Sequence, residues 1–267
     1  MADFWISAVI GLAFAAGAVT IVFGSYFLAR RLLDAGAEGD RTPEAAASIA
    51  VRIATLHGLI LALVYAQELD DYKGIRSILT EEATAISDVY HDAGRYGGPV
   101  VARVQAKLAH YLDTVVSEEW DKLARGEGLS AQAWIDWDDV YQTVLNLAPA
   151  TDRERYLAGR MRDRIAAVAG FRQLRETTAV GRFSGLFWTP ALVGLALLAV
   201  PFYVYRPSRN NLVLLSIFAL YSGVILFFIY AFANPFAQPG KLQPTPFLHL
   251  LRGDIGQSLP PKPPPTR

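Results

Sequence analysis

"HGLILALVYAQELDDYKGIRSILTEEATAI", residues 57–86, changes solvent partway along. The fifteen residues from Ile53 to Gln67 carry no formal charge. Glu68, Asp70 and Asp71 then arrive together, and Glu81 and Glu82 follow about three helical turns later. Beyond the switch, Ile75, Ile78, Leu79, Ala83, Ile86 and Tyr90 recur at 3–4 spacing, the pattern of an amphipathic helix. One helix that leaves a bilayer and continues in water accounts for both halves.

The rest of the chain supports a membrane reading. Of 267 residues, 52% are hydrophobic, and the mean hydropathy is +0.25, above the range of ordinary soluble domains. Basic and acidic residues balance at 25 each, so no global field points to nucleic acid. Cysteine is absent, which excludes disulfides, thiolate metal sites and a cysteine nucleophile.

Four apolar segments stand out. Phe4–Ala29 is uncharged and spans about 39 Å as a helix, enough for the roughly 30 Å hydrocarbon core. No positive region precedes it, and it exceeds the apolar core of a signal peptide, so it reads as a retained span. Ile53–Gln67 gains the length to cross once Ala45–Val51 is added, with Arg52 snorkelling to the interface. Phe183–Tyr205 is uncharged and contains Pro190 and Pro201; Asn210–Pro235 is also uncharged. "RPSRNN" (206–211) joins the last two as a tight hairpin. Arg30, Arg31 and Arg41 in the first short loop, with Arg206 and Arg209 in the second, favour cytoplasmic short loops by the positive-inside rule. Lys73, Arg76, Arg172, Arg175, Arg182, Lys241 and Arg252 oppose them from the other side.

Between the hairpins the pattern is helical throughout. "GRYGGP" (94–99) breaks the first helix. A second, from about Val100 to Ala124, has Val101, Val104, Leu108, Tyr111, Leu112 and Val115 as its stripe. After "RGEGLS" (125–130), Ser130 is placed to cap a third helix ending near Pro149. Thr151 and Glu154 form a capping-box pattern for a fourth that runs to about Thr178. Acidic residues crowd 113–139 and arginines crowd 153–175. Either these helices pair electrostatically, or both runs are solvated faces; the sharper alternative is a subunit interface or charged vestibule.

The expected fold is therefore all-α: an integral membrane protein with four transmembrane helices in two hairpins and a helical bundle inserted between helices 2 and 3. The divisions are 1–67, first hairpin; 68–182, extramembrane domain; 183–235, second hairpin; and 236–267, a Pro-rich tail in which 246–254 forms one short interfacial helix. Bacterial inner membrane is the expected location, and the side occupied by 68–182 stays open.

No HExxH, EF-hand loop, phosphate-binding glycine loop or G-x-S-x-G occurs, and no cofactor or metal is expected. Glu81 and Glu82 point about 100° apart on a helix, poor geometry for shared acid/base work. An enzyme is not expected. His57 lies within the second span, where ionisable groups are costly and often functional; the alternative is a neutral imidazole hydrogen-bonded to a neighbouring helix. Glu68, Asp70 and Asp71 sit at the membrane boundary, either as solvated interfacial residues or as an acidic ring at a pore mouth. In a ring oligomer, His57 and Tyr65 would face the central axis.

Three stretches carry a family resemblance. "YKGIRSILTEEATAISDVYHDA" (72–93) contributes Glu81, Glu82, Ala83 and Ile86. "LAHYLDTVVSEEWDKLARG" (108–126) contributes Tyr111, Glu119, Trp120 and Leu123. "FANPFAQPGKLQPTPFLHLL" (232–251) contributes Pro235 and Phe236, with Asn234 close to where an aspartate is common. Together they resemble the bestrophin-like DUF4239 family of bacterial membrane proteins. Bestrophins are pentameric anion channels with four membrane helices per subunit and a helical cytosolic part. The resemblance implies an oligomeric ion channel or pore, a pentamer by analogy, in contact with membrane lipid and ions. It would place 68–182 in the cytoplasm. The alternative is a non-conducting membrane scaffold or sensor, or a transporter accessory subunit, whose helical domain binds a partner.

Overall fold

Helix α1 (Ala2–Leu33) is followed by α2 (Pro43–Tyr96), which runs through the switch at Glu68 without a break. The computed structural model describes residues 2–33, 42–180 and 185–259. At 54 residues α2 is about 80 Å long. Helices α3 (Val100–Thr114), α4 (Trp120–Arg125), α5 (Ala131–Leu145) and α6 (Asp152–Val180) follow, with a π-helical turn at Val115–Glu119 between α3 and α4. Helices α7 (Gly185–Ala199), α8 (Arg209–Ala233) and α9 (Thr245–Arg252) complete the set. Among the described residues every regular element is helical.

The chain divides into two compact units. The first comprises Met1–Tyr72, Arg182–Ala233 and Gln238–Gly240; the second comprises Lys73–Gly181, Asn234–Ala237 and Lys241–Arg267. Helix α2 supplies residues to both.

In the first unit, Val22 and Tyr26 of α1, Leu61 of α2, Leu195 and Ala199 of α7, and Leu215, Ala219 and Leu226 of α8 form the core. Close helix approach depends on small residues, as is usual within a bilayer. A Cβ built on Gly223 would lie 2.8 Å from the Ala15 Cα and 3.0 Å from the Phe14 carbonyl oxygen. Both are backbone atoms, so they cannot swing away. Gly223→Val is expected to lower stability by about 1–3 kcal/mol through overpacking, read as a fall in the thermal midpoint in detergent. An unchanged midpoint would contradict the α1–α8 packing.

Among the described residues, three helices are long and apolar enough to cross a membrane: α1, α2 and α8. The third expected span is shorter than its uncharged run. Helix α7 has 15 residues, about 22 Å. Its continuation, Val200–Val204, is 3₁₀ and contains Pro201, whose missing N–H and ring geometry disfavour further α-helix. Phe183, Arg182 and Arg41 lie outside the described residues, as does the terminal "PPKPPPTR".

In the second unit, Ile75, Leu79, Ile86 and Val89 of α2 pack with Val104, Leu108 and Leu112 of α3, Val140 and Val144 of α5, and Met161, Ile165 and Val168 of α6. The capping box at α6 is present. Thr151 Oγ1 accepts the Glu154 N–H at 3.2 Å, and Glu154 Oε2 accepts the N–H groups of Ala150 at 2.7 Å and Thr151 at 3.3 Å. These backbone bonds hold the Glu154 carboxyl below the ordinary range, so their support for the helix start is present at neutral pH and is lost as pH falls. Gly126 closes α4 with φ 72°, a left-handed conformation suited to glycine.

Two expectations change. Ser130 stands at the start of α5, but its hydroxyl donates to Glu118 Oε2 at 3.0 Å and caps no helix N–H. The short helix expected within 246–254 forms as α9 (Thr245–Arg252), but it is anchored in the second unit: Phe247 and Ile255 are buried in that unit's core, and the Tyr90 hydroxyl donates to the Asp254 carbonyl at 3.0 Å.

Candidate functional site

Four of the family-motif residues, Glu82, Tyr111, Glu119 and Trp120, meet at a buried charge cluster. Along α6, Ala158, Met161, Ile165 and Val168 form an apolar stripe; its next 3–4 steps land on Arg172 and Arg175, and then Ala179, all buried. Two guanidiniums thus occupy core positions. Their counter-charges come from the stripes facing them. Glu82 lies among Leu79, Ala83 and Ile86 on α2. Glu119 ends the π-helical turn, where a wider winding advances the register. All four charged side chains are fully buried.

The geometry joins them into one network. Arg175 Nε lies 2.9 Å from Glu82 Oε2, and Nη2 lies 3.2 Å from Glu119 Oε2. Arg172 Nη2 donates to Glu119 Oε1 at 2.8 Å. Tyr111 Oη donates to Glu82 Oε1 at 2.7 Å, and the Ser130 N–H donates to Glu119 Oε1 at 3.1 Å. Aromatic rings cover the rest. The Arg172 guanidinium lies 4.4 Å from the Trp134 ring centre and 5.1 Å from that of Tyr111. Arg175 lies 5.9 Å from the ring of Trp120 and 5.6 Å from that of Phe247. Such contacts partly replace water around a buried cation.

Burial pushes the Glu82 carboxyl up, while Arg175, the Tyr111 hydrogen bond and Arg172 pull it down. Burial works against the charge on Arg175, but Glu82, Tyr111 and Glu119 outweigh it and hold its pKa above the ordinary value. Burial and the Glu82 charge push the Tyr111 phenol far up, leaving it a hydrogen-bond donor. Two arginines against two glutamates leave no net charge. With every member fully buried, a substrate cannot reach the cluster. Its chemistry is a clamp across α2, α3, the π-turn and α6.

The remaining motif residues support the same place. Trp120 donates its indole N–H to the Leu242 carbonyl at 2.8 Å, and its ring meets Phe236 and Phe247 edge-on. Asn234 Oδ1 accepts the Phe236 N–H at 3.1 Å, and the Pro235 carbonyl accepts the Leu242 N–H at 2.7 Å. A carboxylate oxygen could accept the same Phe236 bond, so Asn234 preserves that turn without the charge. Ala83 and Ile86 are core; Glu81 is exposed and accepts the Ser77 hydroxyl at 3.1 Å. Outside the cluster, the arginine run pairs mostly with α2. Arg160 lies 2.9 Å from Asp92 and 3.3 Å from Asp88, and Arg164 lies 3.0 Å from Asp88. The acids of α5 find bases on α3: Asp139 with Arg103 at 2.7 Å and Lys107 at 3.2 Å, and Asp136 with His110 at 2.5 Å.

In the first unit, the boundary residues separate by helical phase. Ala50, His57 and Leu61 are buried, and Val64, Tyr65 and Glu68 are half-buried on the same face. His57 sits against Gly194 of α7, where an added Cβ would collide with the imidazole Nδ1. Among the described residues, neither ring nitrogen has a hydrogen-bond partner. Tyr65 packs against Phe232 with ring centres 5.7 Å apart. His57 and Tyr65 therefore both pack against helices of their own unit. Asp70 and Asp71 are exposed, and Asp71 accepts the Gln67 side-chain N–H at 2.9 Å. On the opposite face, Thr55, Leu59, Ala62, Ala66 and Asp70 are all exposed. Among the described residues, no three His, Asp or Glu side chains are grouped to hold a metal.

The family model described as "Bestrophin-like domain" matches residues 16–247. Two crystal structures of point mutants of a bacterial bestrophin homologue from Klebsiella pneumoniae share the fold. One has a TM-score of 0.63 at 12% identity, covering 93% of this chain and 98% of that one. The other has a TM-score of 0.60 at 12% identity, covering 93% and 97%. No curated protein sequence matches significantly.

Proposed function

Because the chain belongs to the Bestrophin-like family, we propose that it is an ion channel of the cell membrane, built as a ring of identical subunits around α2. Four crossings per subunit complete the reading, with α7 extended through its 3₁₀ turn. The supporting observation is the stripe Thr55, Leu59, Ala62, Ala66 and Asp70. Helix surface turned only to lipid is expected to carry bulky apolar groups, as the exposed surface of α1 does with Phe4, Val9, Leu12, Phe27 and Leu32. The α2 stripe instead is mostly small or polar, with a single leucine. In a ring, Leu59 would form the apolar constriction, and Asp70 a carboxylate ring at the aqueous end that favours cations.

The chain contains no cysteine, so single-cysteine variants need no background changes. In vesicles containing the reconstituted protein, charged thiol reagents are expected to alter ion flux through Thr55→Cys, Ala62→Cys and Ala66→Cys. Leu61→Cys, buried on the opposite face, is expected to be unaffected. A monomer in detergent, with no flux in vesicles, would overturn the channel reading.

A further inference from the structure

A furrow in the first unit has the chemistry of a phospholipid site. Its α2 wall is mostly alanine, with Ala46, Ala50 and Ala54 beside Val51; Phe202, Leu214 and Phe218 stand opposite. Two cavities, of about 180 and 320 Å³, share Ala50, Val51, Phe202 and Leu214 and so form one continuous trough. The part bounded by Ala54, Leu198, Leu215 and Phe218 is lined only by apolar residues. The other end reaches Tyr205 and Asn211. Alanines at i, i+4 and i+8 make the trough, because that helix face projects nothing beyond its Cβ atoms.

The polar end is fixed in place. The Tyr205 carbonyl accepts the Tyr26 hydroxyl at 2.9 Å and Arg30 Nη1 at 3.0 Å, and the Tyr205 hydroxyl donates to the Pro43 carbonyl at 3.1 Å. Asn211 Nδ2 donates to the Arg206 carbonyl at 2.9 Å. Arg206 and Arg209, on either side of this turn, are exposed. Neither forms an ion pair among the described residues, although Glu44 lies in the first turn of α2. Arg206 follows Tyr205 and Arg209 precedes Asn211 by two residues, so two exposed guanidiniums adjoin the polar end of an apolar trough, which suits one phosphate on a hydrocarbon chain. Basic pockets between membrane helices bind anionic headgroups on this principle.

We propose that an anionic phospholipid occupies this furrow, with an acyl chain along the alanine wall of α2 and its phosphate at Arg206 and Arg209. The site is separate from the α2 stripe assigned to conduction and does not depend on it. Native mass spectrometry of the full chain in detergent tests it, with phosphatidylglycerol and phosphatidylcholine of equal chain length. Phosphatidylglycerol is expected to be retained at one per chain at concentrations where phosphatidylcholine is lost. Arg206→Gln with Arg209→Gln should weaken retention by roughly five-fold per arginine. Ala50→Leu should weaken it with both arginines intact. Glycerol phosphate, which has the head without the chain, should not compete. Equal retention of the two lipids, an unchanged arginine variant, or competition by glycerol phosphate would overturn the proposal. So would an Ala50→Leu protein that loses its oligomeric state while keeping its lipid, which would make the furrow a contact between copies. The arginines are surface residues, so their variant remains informative if Ala50→Leu does not fold.

Discussion

Arg175→Ala is expected to destabilise the second unit by about 3–5 kcal/mol. The substitution leaves Glu82 buried with Tyr111 alone, and Glu119 with Arg172 and the Ser130 N–H. The cost is dominated by the stranded carboxylate, since an unpaired charge cannot recover its hydration in the core. In a chain of this size the thermal midpoint should fall by roughly 10 °C. Trp120 and Trp134 flank the guanidiniums, so intrinsic fluorescence of the full chain in detergent reports the change directly. Removing both charges of one pair is a sharper measurement. Glu82→Met with Arg175→Met should cost less than Arg175→Ala alone, because apolar groups of similar volume often replace a buried ion pair at little loss. An Arg175→Ala midpoint near that of the unaltered protein would show that the cluster clamps nothing.

That cluster also marks the limit of what the sequence discloses. The arginine run from Arg153 to Arg175 reads as a solvated or paired face when counted by composition. Only its phase separates two members from the rest. Arg172 and Arg175 continue the Met161, Ile165 and Val168 stripe, whereas Arg160 and Arg164 flank it and reach the α2 carboxylates. Glu119 was harder to place, because a π-helical turn shifts register without any break in helical composition. The α2 helix was legible across Glu68 because its apolar spacing continues through the switch. Orientation within the membrane half was not legible. Ile53 to Gln67 is uncharged all round, with Thr55 and His57 on different faces, and such a helix shows no preferred face until its neighbours are known. Gly194 supplies the missing information for His57 by leaving room for an imidazole that no other side chain at that position would allow. The Pro-rich 236–267 stretch shows its short helix at 246–254 but not its place, since nothing in the spacing says that Phe247 and Ile255 complete the second unit's core.

Asp70→Lys is expected to reverse the charge preference of ion flux, moving the reversal potential in a salt gradient from the cation side towards the anion side. Asp70 and Asp71 are neighbours in sequence but about 100° apart around α2. Asp70 continues the exposed Thr55, Leu59, Ala62 and Ala66 stripe, whereas Asp71 turns to the flank and is engaged by Gln67. In the proposed ring only Asp70 lines the axis, so Asp71→Asn should leave the reversal potential nearly unchanged. The contrast between neighbours distinguishes a pore mouth from a general surface charge, which would respond to both. Salt sharpens it further. With a Debye length of about 10 Å at 0.1 M, the effect of Asp70→Lys should grow as ionic strength falls and shrink towards 1 M. If Asp71→Asn shifts the potential as much as Asp70→Lys does, α2 is phased differently in the assembled protein and the stripe from Thr55 to Asp70 is not the ion path.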